Sequence, residues 1–183
     1  MDSSIALLLL ILFNVVGGGS RLQAVLAFVS VWLINVFDRG RLYINNFAMT
    51  LKDFLNEKDI FAANAGMELV EVREGYSRAV MTVGKSHLNA GGVCQGGALF
   101  TLADLALAAV MNSHGQLTLS IESTITFLHS AVEGDVLTAE ATETCNHHKI
   151  PYCEVKICNQ DNKLICKFTA IAYRKRLTSS LTL

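Results

Sequence analysis

The stretch His87-Leu-Asn-Ala-Gly-Gly-Val-Cys-Gln-Gly-Gly-Ala-Leu-Phe-Thr-Leu-Ala-Asp104 gathers an acid, two amides, a thiol, an imidazole and two glycine pairs. Asp104 stands in an otherwise apolar segment from Gly96 to Met111, where Leu99, Phe100, Leu102, Ala103, Ala106, Leu107, Val110 and Met111 cover most azimuths of a helix. A helix that is apolar nearly all round is enclosed by protein. A carboxylate enclosed there is costly unless it is paired or at work. Gly96 and Gly97 open the helix, where unpaired backbone N–H groups and the positive dipole end favour an anion. With no side chains in the way, a polarised carbonyl can approach that backbone closely. Such donors stabilise an oxyanion as it develops, with Asp104 acting as general base for water or as nucleophile. The residue types leave both roles for Asp104 open.

The neighbours of these groups also have plain structural readings. Asn89 suits a turn beside Gly91-Gly92. Cys94 borders a helix N-terminus, which lowers a thiol pKa, but no matching base is evident and it reads as a packed small residue. His87 is a loop histidine that could contact a substrate.

These residues need elements to hold them. The pattern predicts a short amphipathic helix at about 50–58, strands near 66–74 and 76–84 joined at Gly75, a loop over 85–95 and the long helix 96–112. Four strands follow, at about 117–129, 134–146, 150–158 and 163–174, with turn signals at Glu133-Gly134-Asp135 and Asn159-Gln160-Asp161-Asn162. In the first of these, Leu117, Leu119, Ile121, Ile125 and Phe127 are expected on one face. Thr118, Ser120, Glu122, Thr124 and Thr126 are expected on the other. Hairpin-length links imply an antiparallel sheet, and one long apolar helix packed on it makes an α+β two-layer domain.

The chain has 183 residues, a formal net charge of −1 and 17% charged residues. That suits one domain with an appendage, and the lack of a basic stripe argues against nucleic acid as a partner. Arg174-Lys175-Arg176 is the one cluster of positive charge; it reads as a solvated tail, with nearness to a ligand phosphate as the alternative. Five cysteines without a tight framework point to free thiols in a reducing, cytoplasmic setting. Four of them lie between 145 and 166 with His147 and His148, yet no C-x-x-C pair is present, so no metal site is expected.

Composition changes sharply near residue 40. Ile5 to Val16 and Leu22 to Phe37 are apolar runs separated by Gly17-Gly18-Gly19-Ser20-Arg21, each short of the ~20 residues of a membrane span. Residues 1–48 read as an anchor or membrane tether, an atypical export signal, or an extension that is not native. Residues 49–183 are the expected domain, and membrane contact is expected only through 1–48.

The element order, together with H-x-N-x-x-G-x-x-x-G-G-x-x-x-x-L-x-D, resembles the hotdog-fold acyl-CoA thioesterases of the phenylacetic-acid-degradation (PaaI) type, over about residues 50–175. The resemblance implies an antiparallel sheet wrapped around one long central helix. It implies hydrolysis of aryl or short-to-medium acyl-CoA without metal or cofactor. It assigns catalysis to Asp104, Asn89, Gly97 and the position of Gln95, and substrate contacts to Gly96, Ser120 and His87. The family's usual residue before the two glycines is His; here it is Gln95, which can donate a hydrogen bond but cannot transfer protons near neutral pH. Ser120 resembles the serine or threonine that orients the attacking water in some members. Gly96 and Asp104 are eight residues apart, about 12 Å along one helix, so one subunit cannot readily use both at one centre. A two-fold dimer with antiparallel helices would set Asp104 of one chain beside Gly97 and Asn89 of the other. The resemblance implies such edge-to-edge homodimers, commonly assembled into homotetramers. Two other readings are a non-catalytic acyl-CoA-binding module, which has no need of Asp104, and an acyl-CoA hydratase or dehydratase. The latter calls for a catalytic His that the helix lacks before His114.

Overall fold

The computed structural model describes residues 49–175; the expectations for 1–48 and for Arg176 lie outside the described residues. The chain begins with two short helices, α1 (Leu51–Lys58) and α2 (Ile60–Asn64), that meet at Asp59. Side-chain oxygens cap both: Thr50 Oγ1 accepts from the Asp53 N–H, and the Asp59 carboxylate accepts from the Ala62 N–H. The sequence pattern ends the helix near 58; the Asp59 cap restarts it. Asn56 then ties α1 to the sheet, because its amide both donates to the Leu69 carbonyl and accepts from the Leu69 N–H.

The remaining elements follow the predicted order: β1 (Met67–Arg73), β2 (Tyr76–Thr82), a 3-10 turn at Lys85–His87, α3 (Gly96–Asn112), β3 (Thr118–Phe127), β4 (Val136–Cys145), β5 (Tyr152–Cys158) and β6 (Leu164–Arg174). Gly75 makes the tight β1–β2 turn at φ +71, a conformation other residues adopt only at a cost. The six strands form one antiparallel sheet in the order β1-β2-β4-β5-β6-β3. Helix α3 packs against it and touches every strand, the hotdog arrangement. Alanines face one another across this contact: Ala103, Ala106 and Ala109 on the helix, Ala79, Ala139, Ala141, Ala170 and Ala172 on the strands, all buried. Their small size brings the two backbones close enough for the buried Ser77 hydroxyl, on β2, to donate to the Ala106 carbonyl at 2.6 Å. Among the described residues no helix is long and apolar enough to cross a membrane.

Strand β3 departs from the expected alternation. A bulge between Ser120 and Glu122 inserts one extra residue and shifts the phase of everything after it. Directly paired antiparallel residues share a face, so Ser120 opposite Ala172, and Ile125 opposite Phe168, both lie on the helix side. Leu119, opposite the exposed Tyr173, lies on the outer side. The single apolar face expected for Leu119, Ile125 and Phe127 is therefore split, and Ser120 is on the helix side with Ile125. Because β3 ends the sheet, it also presents a long apolar edge: Leu119 is 49%, Ile121 63% and Phe127 53% exposed.

Arg174 is not part of a solvated tail. It is 6% exposed, and its guanidinium donates to Glu143, to the Asn146 side chain and to the His147 carbonyl. The Glu143 side chain is 2% exposed and also meets His114 Nε2 at 2.5 Å. This cluster closes the end of the domain where α3 finishes, and it occupies the cation that the sequence left available for a phosphate. Removing the charge of Glu143 strands a buried guanidinium, a change that typically costs 3 kcal/mol or more. Glu143→Gln is expected to lower unfolding stability by about 3 kcal/mol in urea titration; a loss within the error of the titration would show that the cluster is solvated.

Candidate active site

A loop held at several points delivers the chain into α3. The Gln95 N–H donates to the His87 carbonyl at 2.7 Å, and the Cys94 N–H to the Ala131 carbonyl at 2.8 Å. Asn89 Oδ1 accepts from the N–H groups of Gly91 and Val93, the side-chain turn its type suggests, and this leaves its amide nitrogen free to donate. Both ring nitrogens of His87 are engaged: Nδ1 accepts from the Gly84 N–H at 2.9 Å, which makes Nε2 the donor to the Ala65 carbonyl at 2.9 Å. His87 thus pins the loop to the end of α2, and neither nitrogen is left for a substrate.

The helix start is already occupied by the chain's own side chains. Gln95 is the N-cap of α3, and its Oε1 accepts from the Gly97 N–H. The ring of Phe127 lies over Gly96, so close that a Cβ there would come within 2.8 Å of Cζ. A side chain at 96 would have to push the Phe127 ring aside, and one at 97 the end of Gln95. Beside them opens a cavity of about 360 Å³ bounded by Asn89, Cys94, Gly96, Leu99, Phe127 and His129. Burial pushes the Cys94 thiol up, with the Asp135 charge adding to it, which leaves Cys94 a poor nucleophile. The buried Cys153 and Cys166 thiols are pushed up to about 12 by desolvation.

Gly97, Thr101, Asp104 and Ala108 form the stripe of α3 that the sheet leaves uncovered; all four are half-buried or exposed, and Asp104 and Ala108 stand between buried neighbours. At 3.6 residues per turn, Gly97 and Asp104 point almost the same way, about 10 Å apart along the axis. Thr101 lies between them, and its hydroxyl donates to the Gly97 carbonyl at 2.9 Å. Desolvation raises the Asp104 carboxyl above its ordinary value, and the negative charge of Asp59 raises it further. In the sequence Asp59 stands apart from the motif that carries Asp104. Its one signal is that of a helix-capping acid, which says nothing about which other acid it will stand near. The structure thus gathers Asn89, Gln95, Gly96 and Gly97 at one end of the stripe and Asp104 two turns away. Ser120 is on the helix side of the free sheet edge, and His87 is behind the loop.

The family model of the thioesterase superfamily matches residues 91–166. A protein of Archaeoglobus fulgidus is 41% identical over 124 residues, 68% of this chain and 80% of its own length. The acyl-coenzyme A thioesterase PaaI of Escherichia coli is 34% identical over 118 residues, 64% of this chain and 84% of that protein. Among solved structures, the E. coli PaaI protein from the phenylacetic acid degradation operon superposes with a TM-score of 0.65 at 32% identity, covering 67% of this chain and 89% of that one. A hypothetical thioesterase protein of Streptococcus pneumoniae TIGR4, solved with coenzyme A, gives a TM-score of 0.58 at 29% identity, covering 60% of this chain and 88% of that one.

The raised carboxyl sets a pH signature. Between the ordinary carboxylate value of 3.8 and the raised folded one, the native state holds more protons than the unfolded chain, so stability falls as pH rises through that window. Asp104→Asn carries no such penalty. It is expected to raise the melting temperature at neutral pH, with the gain vanishing below the ordinary carboxylate range; an equal gain at both pH values would refute the assignment. Asp59→Asn is expected to lower the Asp104 pKa, read by carboxyl carbon NMR titration.

Proposed function

Because the chain belongs to the thioesterase superfamily, in its PaaI-like hotdog branch, we propose that it hydrolyses acyl-CoA thioesters to the free acid and CoA. Water adds its oxygen to the thioester carbonyl carbon, the carbon–sulfur bond breaks, and the CoA thiolate leaves and takes up a proton. Asp104 serves as base for that water, or attacks first and forms a mixed anhydride that water then cleaves. A raised pKa makes its carboxylate a stronger base than an ordinary aspartate. The Gly97 N–H, at the positive end of α3, receives the carbonyl oxygen as its charge develops. Asn89 donates from its free amide nitrogen, and Ser120 orients the water. Aryl or short-to-medium acyl groups are the substrate class, no cofactor takes part, and the cavity beside Gly96 has room for part of the ligand.

The observation that carries this reading is the uncovered stripe of α3. Gly97 and Asp104 share it but cannot meet within one helix. Two antiparallel copies related by a two-fold between Phe100 and Thr101 would set each Asp104 against the other chain's Gly97. The apolar β3 edge, with its unpaired backbone groups, supports the same pairing, because exposed edges of this kind recruit another strand. The functional unit in this proposal is a homodimer, with two dimers forming a homotetramer.

Free-thiol release from a panel of acyl-CoA esters tests the chemistry: the full chain should turn over at least one ester, and Asp104→Asn should lose about a hundredfold or more in kcat. Thioester binding without turnover would make the protein a binding module instead. Sharing of the site is tested by mixing. Gly97→Pro removes the N–H donor in a helical turn that tolerates proline. Refolded mixtures of Gly97→Pro and Asp104→Asn should recover about a quarter of wild-type activity, since half the dimers hold one intact site of two. No recovery would place both residues in a single-chain site.

A further inference from the structure

The geometry points to Ser123 as a second hydroxyl, beside Ser120, that holds the attacking water against Asp104. This rests on the thioesterase reading above. Strand β3 runs back along α3, and both of its ends are tied to the helix. The Asn112 side chain donates to the Thr118 carbonyl at 3.0 Å and accepts from the Thr118 N–H at 2.9 Å. At the other end the Phe127 ring lies over Gly96. Between them Phe168, the ladder partner of Ile125, meets the Phe100 ring edge-on with centroids 5.1 Å apart. That contact sets Ile125 level with Phe100.

From there the spacings of the two elements match. Gly96, Phe100, Asp104 and Ala108 form one ridge of α3 in steps of four residues, about 6 Å each. The helix-side row of β3 advances two residues at a time, about 6.7 Å. Its next member after Ile125 is Ser123, which pairs with the buried Ala170. Ser123 therefore stands level with Asp104. The bulge at Ile121 makes Ser120 the following member, level with Ala108. Among the described residues no protein group bonds the Ser123 hydroxyl, which is half-buried yet open to water. A water that donates one hydrogen to the Asp104 carboxylate keeps two lone pairs. A hydroxyl that donates to one of them aims the other at the thioester carbon. Ser123 is thus a positioning residue of the half-site that carries Asp104, and it needs no partner chain to take that place.

Thioester turnover and the titration of Asp104 are read side by side in wild type, Ser123→Ala and Ser123→Thr. Ser123→Ala should lose about tenfold in kcat, the scale of one net hydrogen bond, and leave KM close to that of wild type. Ser123→Thr keeps the hydroxyl and should restore most of kcat. In carboxyl carbon NMR, Asp104 should titrate higher in Ser123→Ala than in wild type, because its carboxylate loses a water held in place to donate to it. The acid limb of kcat/KM should move to higher pH with it. An unchanged kcat, a loss that threonine does not rescue, or an Asp104 titration that stays put would each overturn the inference. No turnover in wild type, with the titration moving as expected, would count against the proposed reaction and leave Ser123, water and Asp104 linked. No turnover with an unmoved titration would overturn both.

Discussion

Burial of α3 against the sheet is the interaction on which the rest of the molecule depends. Leu99, Leu102, Leu105, Ala106, Ala109 and Val110 leave water together, and at about 25 cal/mol per Å² their apolar area is the dominant favourable contribution in this layer. Alanines on both sides let the backbones approach, and the Ser77 hydrogen bond into the helix depends on that closeness. The sheet cannot cover the whole helix. The stripe it leaves open carries Gly97, Thr101 and Asp104, so the candidate site is the remainder of the packing problem. A carboxylate half-buried at its middle, with Asp59 near it, is an unfavourable placement. The apolar contacts around it offset the cost.

At the start of the helix, folding and chemistry compete for the same groups. First-turn N–H groups need acceptors if the helix is to end cleanly, and the same groups must be open to a substrate oxygen if they are to act. Here two exposed side chains, Phe127 and Gln95, lie over that start. The ring of Phe127 covers Gly96, and the end of the Gln95 side chain covers Gly97. The loop behind them is held by hydrogen bonds through His87, Gln95 and Cys94, which fixes where the helix starts.

At the other end, the chain buries charge. Glu143 joins β4 to Arg174 on β6 and to His114 just beyond α3, so three segments far apart in sequence share one cluster. The two ends of the domain are thus organised differently: exposed side chains lie over the start of α3, and its finish is closed by a buried ion pair.

The sequence by itself determined whatever depends on local order. The long apolar run behind a glycine pair specifies α3, from Gly96 to Asn112, because periodicity and helix-start chemistry are properties of neighbouring residues. The alternation of Val155 and Ile157 with Glu154 and Lys156 specifies its strand for the same reason. So does the row Leu164, Cys166, Phe168, Ala170 and Ala172, from which a register shift at Ile165 removes only Leu164. The motif around Asn89, Gly97 and Asp104 was legible as residue types at set spacings. Only the tertiary structure decided the rest. The bulge near Ile121 comes from ladder register with β6, to which composition is blind, and it moved Ser120 to the helix side. Asp59 meets the charge of Asp104, Arg174 meets Glu143, and both nitrogens of His87 find partners, because the fold brings distant segments together. A hydrogen-bond donor's chemistry depends on what already occupies it, and for Gly97 that occupant, Gln95, became visible only once the helix had its three-dimensional start.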